Sequence, residues 1–290
     1  MCGRYQRRAD KQRIAEAFQL GNVDGLALEF ASDYNASPGS MQPVIVWDEE
    51  FGTRTVSMMF WKFLPPYVTD PKKMSIDTIL ARGDRLLESN IWRESFLKRR
   101  CLVPVDSFIE WQRPNPKTKL PWMFAMKDGQ LFALAGLWRH WYSPDGKSQM
   151  DSFAVITTEP NELLVEKTGH DRMPAIIKRQ DYQRWLEPGD ANRLPIDLIR
   201  PFDSDEMKAW RVDRRLNNVK NNDASLCQPV EPMEENNPSK KPGSSERAKR
   251  KATEDEGDQL KHVLNSIAMA SACDQRNPSV AVTLIAILCS

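Results

Sequence analysis

Along this chain, apolar residues mostly fall in short alternating runs and seldom recur at every third or fourth position, so the pattern predicts more strand than helix. Strand-like runs occupy residues 43–47, 54–61, 101–105, 122–126, 131–138, 152–158, 174–177 and 210–212. Helical spacing is confined to three stretches. Asp10 can cap a helix over 10–20, with Ile14, Ala17 and Phe18 on one face. A second helix fits 89–100, where Trp92 and Phe96 stand four apart, and a third fits 181–186, stopped by Pro188-Gly189. The elements do not alternate as regular βαβ units. The expectation is an α+β fold with a curved, mostly antiparallel, barrel-like sheet and flanking helices.

The patterning stops near residue 230. Residues 1–230 hold all nine Trp and read as one packed domain, while 231–259 are polar and poor in hydrophobics. Such a segment buries too little apolar area to offset its ordering entropy, so 231–290 is expected to be a disordered, partly basic C-terminal tail. Lys240-Lys241 and Lys249-Arg250-Lys251 form two basic clusters within it. They resemble a bipartite nuclear localisation signal, and a solvated charge run is the other reading. The expected location is therefore the nucleus, otherwise the cytoplasm. The last thirty residues read as a weakly helical stretch, then Pro278 and a β-type apolar end.

Charge changes this picture little: 41 basic against 40 acidic residues leave a net charge of +1, so any nucleic-acid contact must come from local clustering. The five Cys, at 2, 101, 227, 273 and 289, show no CxxC and no Cys/His cluster of zinc type. A reduced, intracellular protein without metal or cofactor is expected. No apolar leader opens the chain, and its longest apolar run is far shorter than the ~20 residues a bilayer requires, so no membrane role is expected.

Candidate chemistry starts at the second residue. Removal of Met1 would leave Cys2 with a free α-amine, pKa ~7.7, and a thiol, pKa ~8.5, on one carbon. A 1,2-aminothiol reacts selectively with aldehydes: the amine forms an imine and the thiol closes a five-membered thiazolidine. Position 2 could equally be an unselected residue. His is scarce, at 140, 170 and 262 only. His262 lies in the tail, and His140 reads as an exposed strand end. His170 follows a flexible Gly169 and precedes Asp171-Arg172-Met173-Pro174, a setting open to a catalytic or a structural role. Glu110 lies between Ile109 and Trp111, so it is either a carboxyl with a raised pKa or a strand-end side chain in water. No P-loop, GxGxxG, GxSxG or HExxH motif is present.

Together these residues carry a resemblance. Cys2-Gly3-Arg4 opens it, followed by Tyr34-Asn35-Ala36-Ser37-Pro38 with Pro43-Val44, and Trp61 through Pro65. Arg100 through Asp106 with Phe108-Ile109-Glu110-Trp111, Ala135-Gly136-Leu137-Trp138, Ile156-Thr157-Thr158, His170 through Pro174 and Leu216-Asn217-Asn218 complete it. In this order the motifs resemble the SOS response-associated peptidase (SRAP) family along the whole 1–230 domain. The resemblance implies a sensor of abasic sites in single-stranded DNA that captures the ring-opened aldehyde as a thiazolidine crosslink, protecting the lesion during replication and repair. It further implies self-removal of the leading residue and a lyase character. Cys2 would supply amine and thiol, Glu110 would shuttle protons, and His170 would assist sugar opening and crosslink reversal. Arg82, Arg172 and Arg4 would hold flanking phosphates, with Asn35 lining the same DNA-binding surface. Trp61 and Pro38 would stack or wedge against bases.

Two positions depart from the family pattern. Leu80 stands where the family carries an Asn two residues before the arginine, and Lys62 stands where it carries Gly. Leu cannot hydrogen-bond, and losing such a contact in a dry site costs ~1–3 kcal/mol. The rival functions are a degenerate module that binds single-stranded DNA without covalent capture, which Leu80 favours, and a general cysteine peptidase using Cys2 and His170. A monomer is expected, with replication or proteolysis partners reached through the tail.

Overall fold

The computed structural model describes residues 3–21, 30–74, 77–188 and 193–230. Cys2 and the tail from 231 onward, with its basic clusters, lie outside the described residues. In chain order the elements are β1 (Tyr5–Arg7), α1 (Lys11–Phe18), β2 (Asp33–Ala36), β3 (Met41–Asp48), β4 (Thr53–Trp61), β5 (Leu80–Arg82), α2 (Arg93–Lys98), β6 (Arg100–Val105) and β7 (Ser107–Asn115). There follow β8 (Thr118–Met126), β9 (Phe132–Tyr142), β10 (Gln149–Thr158), α3 (Glu162–Thr168), β11 (Met173–Pro174), β12 (Ile176–Ile177), α4 (Tyr182–Leu186) and β13 (Met207–Arg211).

Five strands close on themselves. β3 pairs with β4 and β6, β6 with β9, β9 with β10, and β10 with β4, the last pair being parallel. Closure removes free strand edges from this barrel. A second, five-stranded sheet runs β13-β8-β7-β1-β2. The fold is α+β and mostly antiparallel.

Alternation along the strands sorts the apolar residues into layers. Val44 and Val46, Met59 and Trp61, Cys101 and Val103, and Phe153 and Val155 share one core with Tyr5, Phe108, Phe124 and Met207 of the second sheet. The intervening positions Ile45, Leu102, Ala154 and Ile156 join a second core with Ile14 and Phe18 of α1, Phe96 of α2 and Trp185 of α4. α1, α2 and α4 therefore cover one face of the barrel, while the second sheet, with α3, covers another.

Local chemistry explains the element ends. Asp10 accepts from the Arg13 N–H at 2.9 Å and caps α1 as its sequence predicts. The helix expected over 89–100 is shorter, because Arg100 already pairs with Leu137 in β6. Its buried guanidinium donates to the carbonyls of Phe96, Leu97, Trp185 and Glu187, closing the ends of α2 and α4, and burial lowers its pKa to about 10. The strand expected over 174–177 divides at Ala175, whose N–H donates to Ile156 and whose carbonyl accepts from Ala135. It thus changes partner from β10 to β9. His140 is exposed near the end of β9, with Nδ1 2.5 Å from Asp151.

Candidate active site

Glu110 is placed by the pleat of β7. Phe108 and Glu110 share the face turned toward the barrel core, while Ile109 turns to a third apolar cluster with Met123, Val212 and Leu216. The Glu110 side chain is 0 % exposed, with Trp122 of β8 directly across the ladder. Burial pushes its pKa up to about 7, against the opposing pull of nearby positive charge that includes Arg113. Lys167 of α3 lies over the Trp122 ring, 5.7 Å from its centroid, and so caps this side of the site.

His170 reaches the same point from α3. Asn161 caps the start of that helix by accepting from the Leu164 N–H, and Gly169 ends it in the left-handed region at φ 70°, where a side chain would be strained. The chain thereby turns back and sets His170 Nε2 3.5 Å from Glu110 Oε2. The imidazole is 23 % exposed, and its pKa is lowered, chiefly by burial. A carboxyl raised toward neutrality thus stands beside an imidazole held below its ordinary value. Around neutral pH such a pair can hold a proton and pass it on at little cost.

The first strand runs into this pair. Tyr5 is in register with Phe108, and the Ile109 N–H donates to the Arg4 carbonyl at 3.0 Å. Toward its amino end the backbone therefore lies alongside Glu110. Arg4 Nη1 donates to Asn35 Oδ1 at 2.6 Å and to the Leu216 carbonyl at 3.1 Å, with the guanidinium 5.9 Å from the Trp111 ring centroid. Burial lowers the Arg4 pKa, with Asp33 opposing.

Arg82 ends β5, a strand that runs parallel to β10 and brings Arg82 opposite Thr157. Arg172 donates to the Thr157 carbonyl at 2.7 Å. Asp84 bonds both arginines and joins them into one cluster.

Some expected residues take other places. Trp61, expected to stack on bases, is 0 % exposed; its indole packs against Tyr5 and Phe153 and its N–H donates to Ile79. It faces the core because it continues the apolar side of β4 two residues after Met59. Asn35, expected on the DNA-binding surface, is buried as a clamp. Its amide donates to the carbonyls of Leu216, Asn218 and Asn221 while its oxygen accepts from Arg4. Asn35→Ala would orphan these groups, and a loss of about 2 kcal/mol or more is expected, read as a fall in Tm. Pro38 keeps a half-buried rim position in a turn that hangs on Trp61, through Gly39 N–H to the Trp61 carbonyl at 2.9 Å. Leu80 packs half-buried against the apolar core, and Lys62 Nζ donates to the Met74 carbonyl.

The expectations from sequence omit the strands β1, β2, β5 and β7, the helix α3, and Trp122 and Asp84 as site residues. Asn161 ahead of Leu163-Leu164-Val165 was a usable cap signal for α3, and the register of Trp122 follows once β7 and β8 are read as a hairpin. No local signal marks Asp84, whose second partner lies far along the chain. Among the described residues no cluster of three or more His, Cys, Asp or Glu could hold a metal ion, and no helix is long and apolar enough to cross a membrane.

Fold and site together define a class: α+β proteins that lay their own first strand beside a buried carboxyl–imidazole pair. Residues 1–219 match the family described as SOS response associated peptidase (SRAP), and the chain belongs to that family. It is 33% identical over 231 residues to "Abasic site processing protein YoqW" of Bacillus subtilis (strain 168), covering 79% of this chain and 99% of that protein. It is 30% identical over 226 residues to "Abasic site processing protein HMCES" of Xenopus tropicalis, covering 69% of this chain and 66% of the relative. A crystal structure of a protein from Bacteroides thetaiotaomicron superposes with TM-score 0.68 at 24% identity, over 79% of this chain and all of the other.

Proposed function

We propose that this protein processes abasic sites in single-stranded DNA, and that it does so by covalent capture through Cys2 after loss of Met1. The observation that carries this reading is the buried Glu110–His170 pair beside the path of the first strand. Aldehyde capture needs a group that can give and take protons at neutral pH, and a carboxyl raised to about 7 meets that need. The named relatives support abasic sites as the source of the aldehyde.

The steps balance without an oxidant or a cofactor. The neutral α-amine adds to the aldehyde carbon of the ring-opened sugar. Glu110 in its acid form gives the proton with which the hydroxyl leaves as water, and an iminium remains. The Cys2 sulfur then adds to the iminium carbon and closes the thiazolidine, with its proton returning to the carboxylate. His170 would pass a proton to the sugar ring oxygen as the hemiacetal opens. Arg82 and Arg172 would engage the phosphates on either side. Arg4 and Asn35 build the wall of the site instead, and Trp61 supports it from the core.

The test is to mix the protein, its amino terminus defined by mass spectrometry, with a single-stranded oligonucleotide carrying one abasic site. A band that survives denaturing electrophoresis, absent with the intact strand, is expected. Salt-sensitive binding without such a band would instead establish the non-covalent reading, which Leu80 favours because its apolar side chain cannot hydrogen-bond a sugar. Accordingly Leu80→Asn is expected to speed crosslinking about tenfold, the equivalent of one recovered hydrogen bond at the transition state. An unchanged single-turnover rate would remove position 80 from the site.

A further inference from the structure

Asp84 engages the Arg82 guanidinium as a phosphate would. Arg82 Nε donates to Asp84 Oδ1 at 3.2 Å and Nη2 to Oδ2 at 2.8 Å, the two-pronged geometry a guanidinium also offers a phosphate. The same Oδ1 lies 3.1 Å from Arg172 Nη2. One carboxylate thus engages both arginines assigned to the DNA backbone.

The surrounding chain fixes this carboxylate in place. A Cβ on Gly83 would lie 2.4 Å from Ile199 Cγ2 and 3.0 Å from the Thr157 carbonyl, so the turn between Arg82 and Asp84 is packed to the backbone. The two arginines are unequally held. Arg172 is 12% exposed and has a second anchor on the Thr157 carbonyl, whereas the Arg82 side chain is 55% exposed. Arg82 is therefore the arginine a strand can reach, and Asp84 already occupies its fork.

We propose that Asp84 is a specificity-determining residue: it competes with DNA phosphate for Arg82 while keeping Arg172 fixed, so that ordinary strands are held weakly. The proposal rests on the DNA reading above. A phosphate arriving at Arg82 exchanges one anion for another and does not meet a free cation. The two arginine charges are also offset locally, because Asp171 acts on Arg82 beside Asp84. Little counterion release is then available, and non-covalent binding stays weak. Retention passes to the covalent step, which only a strand offering an aldehyde can enter. Selectivity for the lesion thus rises because general affinity is restrained.

Asp84→Asn tests this, measured on the full chain by anisotropy with an intact single-stranded oligonucleotide across a salt series. Tighter binding by about three- to tenfold is expected, with a salt slope steeper by about 0.7, the value for one freed phosphate contact on a single strand. Glu88→Gln removes the same charge from the cavity of about 340 Å³ that Asp84 and Arg172 also line. Because Glu88 forms no ion pair with either arginine among the described residues, this change should leave affinity near that of the parent. Unchanged or weaker binding by a folded Asp84→Asn protein would overturn the proposal, as would an equal gain in Glu88→Gln. If the parent protein crosslinks an abasic strand while Asp84→Asn gains nothing, only this inference fails. If the parent binds no strand at all, the DNA reading fails and this inference fails with it.

Discussion

Glu110→Gln is expected to slow covalent capture about 100-fold or more, the usual range for removing a positioned acid–base group. Gln preserves the size of the side chain and its place opposite Trp122, so the loss would fall on proton transfer and not on packing. The pH profile gives the sharper signature. Capture needs a neutral amine, which becomes available as pH rises through ~7.7, and a protonated Glu110, which is lost as pH rises through about 7. Their product is a bell with its maximum near neutrality. In the Gln variant the alkaline fall disappears and the residual rate climbs with pH until the amine is fully neutral. A variant that keeps the parental bell would show that another group supplies the proton.

The same carboxyl leaves a mark on stability. Its folded pKa of about 7 lies above its ordinary 4.5, so the folded state retains a proton that the unfolded chain releases. Stability contributed by this group is fully present below about 4.5 and declines as pH rises toward 7, by as much as about 3 kcal/mol. His170 works in the opposite sense, because its lowered pKa makes the folded state release a proton earlier than the unfolded chain does on titration from acid. Comparison with Glu110→Gln isolates the carboxyl. The Tm difference, variant minus parent, should widen in the variant's favour between pH 5 and pH 7.

β1, β2 and β5, three or four residues long, are too short to show a strand-length apolar run. The barrel strands β3, β4, β6, β9 and β10 were legible because such a run is a local property of the sequence. β7 was not, since Glu110 and Gln112 occupy its inward phase and break the apolar rhythm. That break marks the candidate site: a carboxyl sits where the fold calls for an apolar residue. Glu110 and His170 could be singled out from their unusual neighbours and the scarcity of histidine. Their 3.5 Å approach could not, because it depends on where α3 ends and Gly169 turns the chain. Trp61 shows the converse limit. Its motif marks it as important without saying which face of β4 it occupies, and the alternation from Met59 places it in the core. For Asn35 likewise, the motif gives no hint that its amide is spent on three carbonyls near residues 216–221.

Cys2→Ala is expected to abolish the crosslink that survives denaturation while leaving affinity for single-stranded DNA nearly unchanged. This substitution separates the two halves of the aminothiol. Alanine at position 2 still permits removal of Met1 and keeps an α-amine, so the imine can form. It offers no sulfur, and an open imine hydrolyses back to amine and aldehyde. A covalent band should therefore vanish on the denaturing gel and reappear, in part, when borohydride is added during the reaction to reduce the imine to a stable amine. Recovery under borohydride would assign imine formation to the α-amine and ring closure to the thiol. A full-strength band without reductant would mean that a different nucleophile captures the aldehyde. Loss of the band even with reductant, at unchanged DNA affinity, would mean that the thiol acts before or during imine formation and not after it.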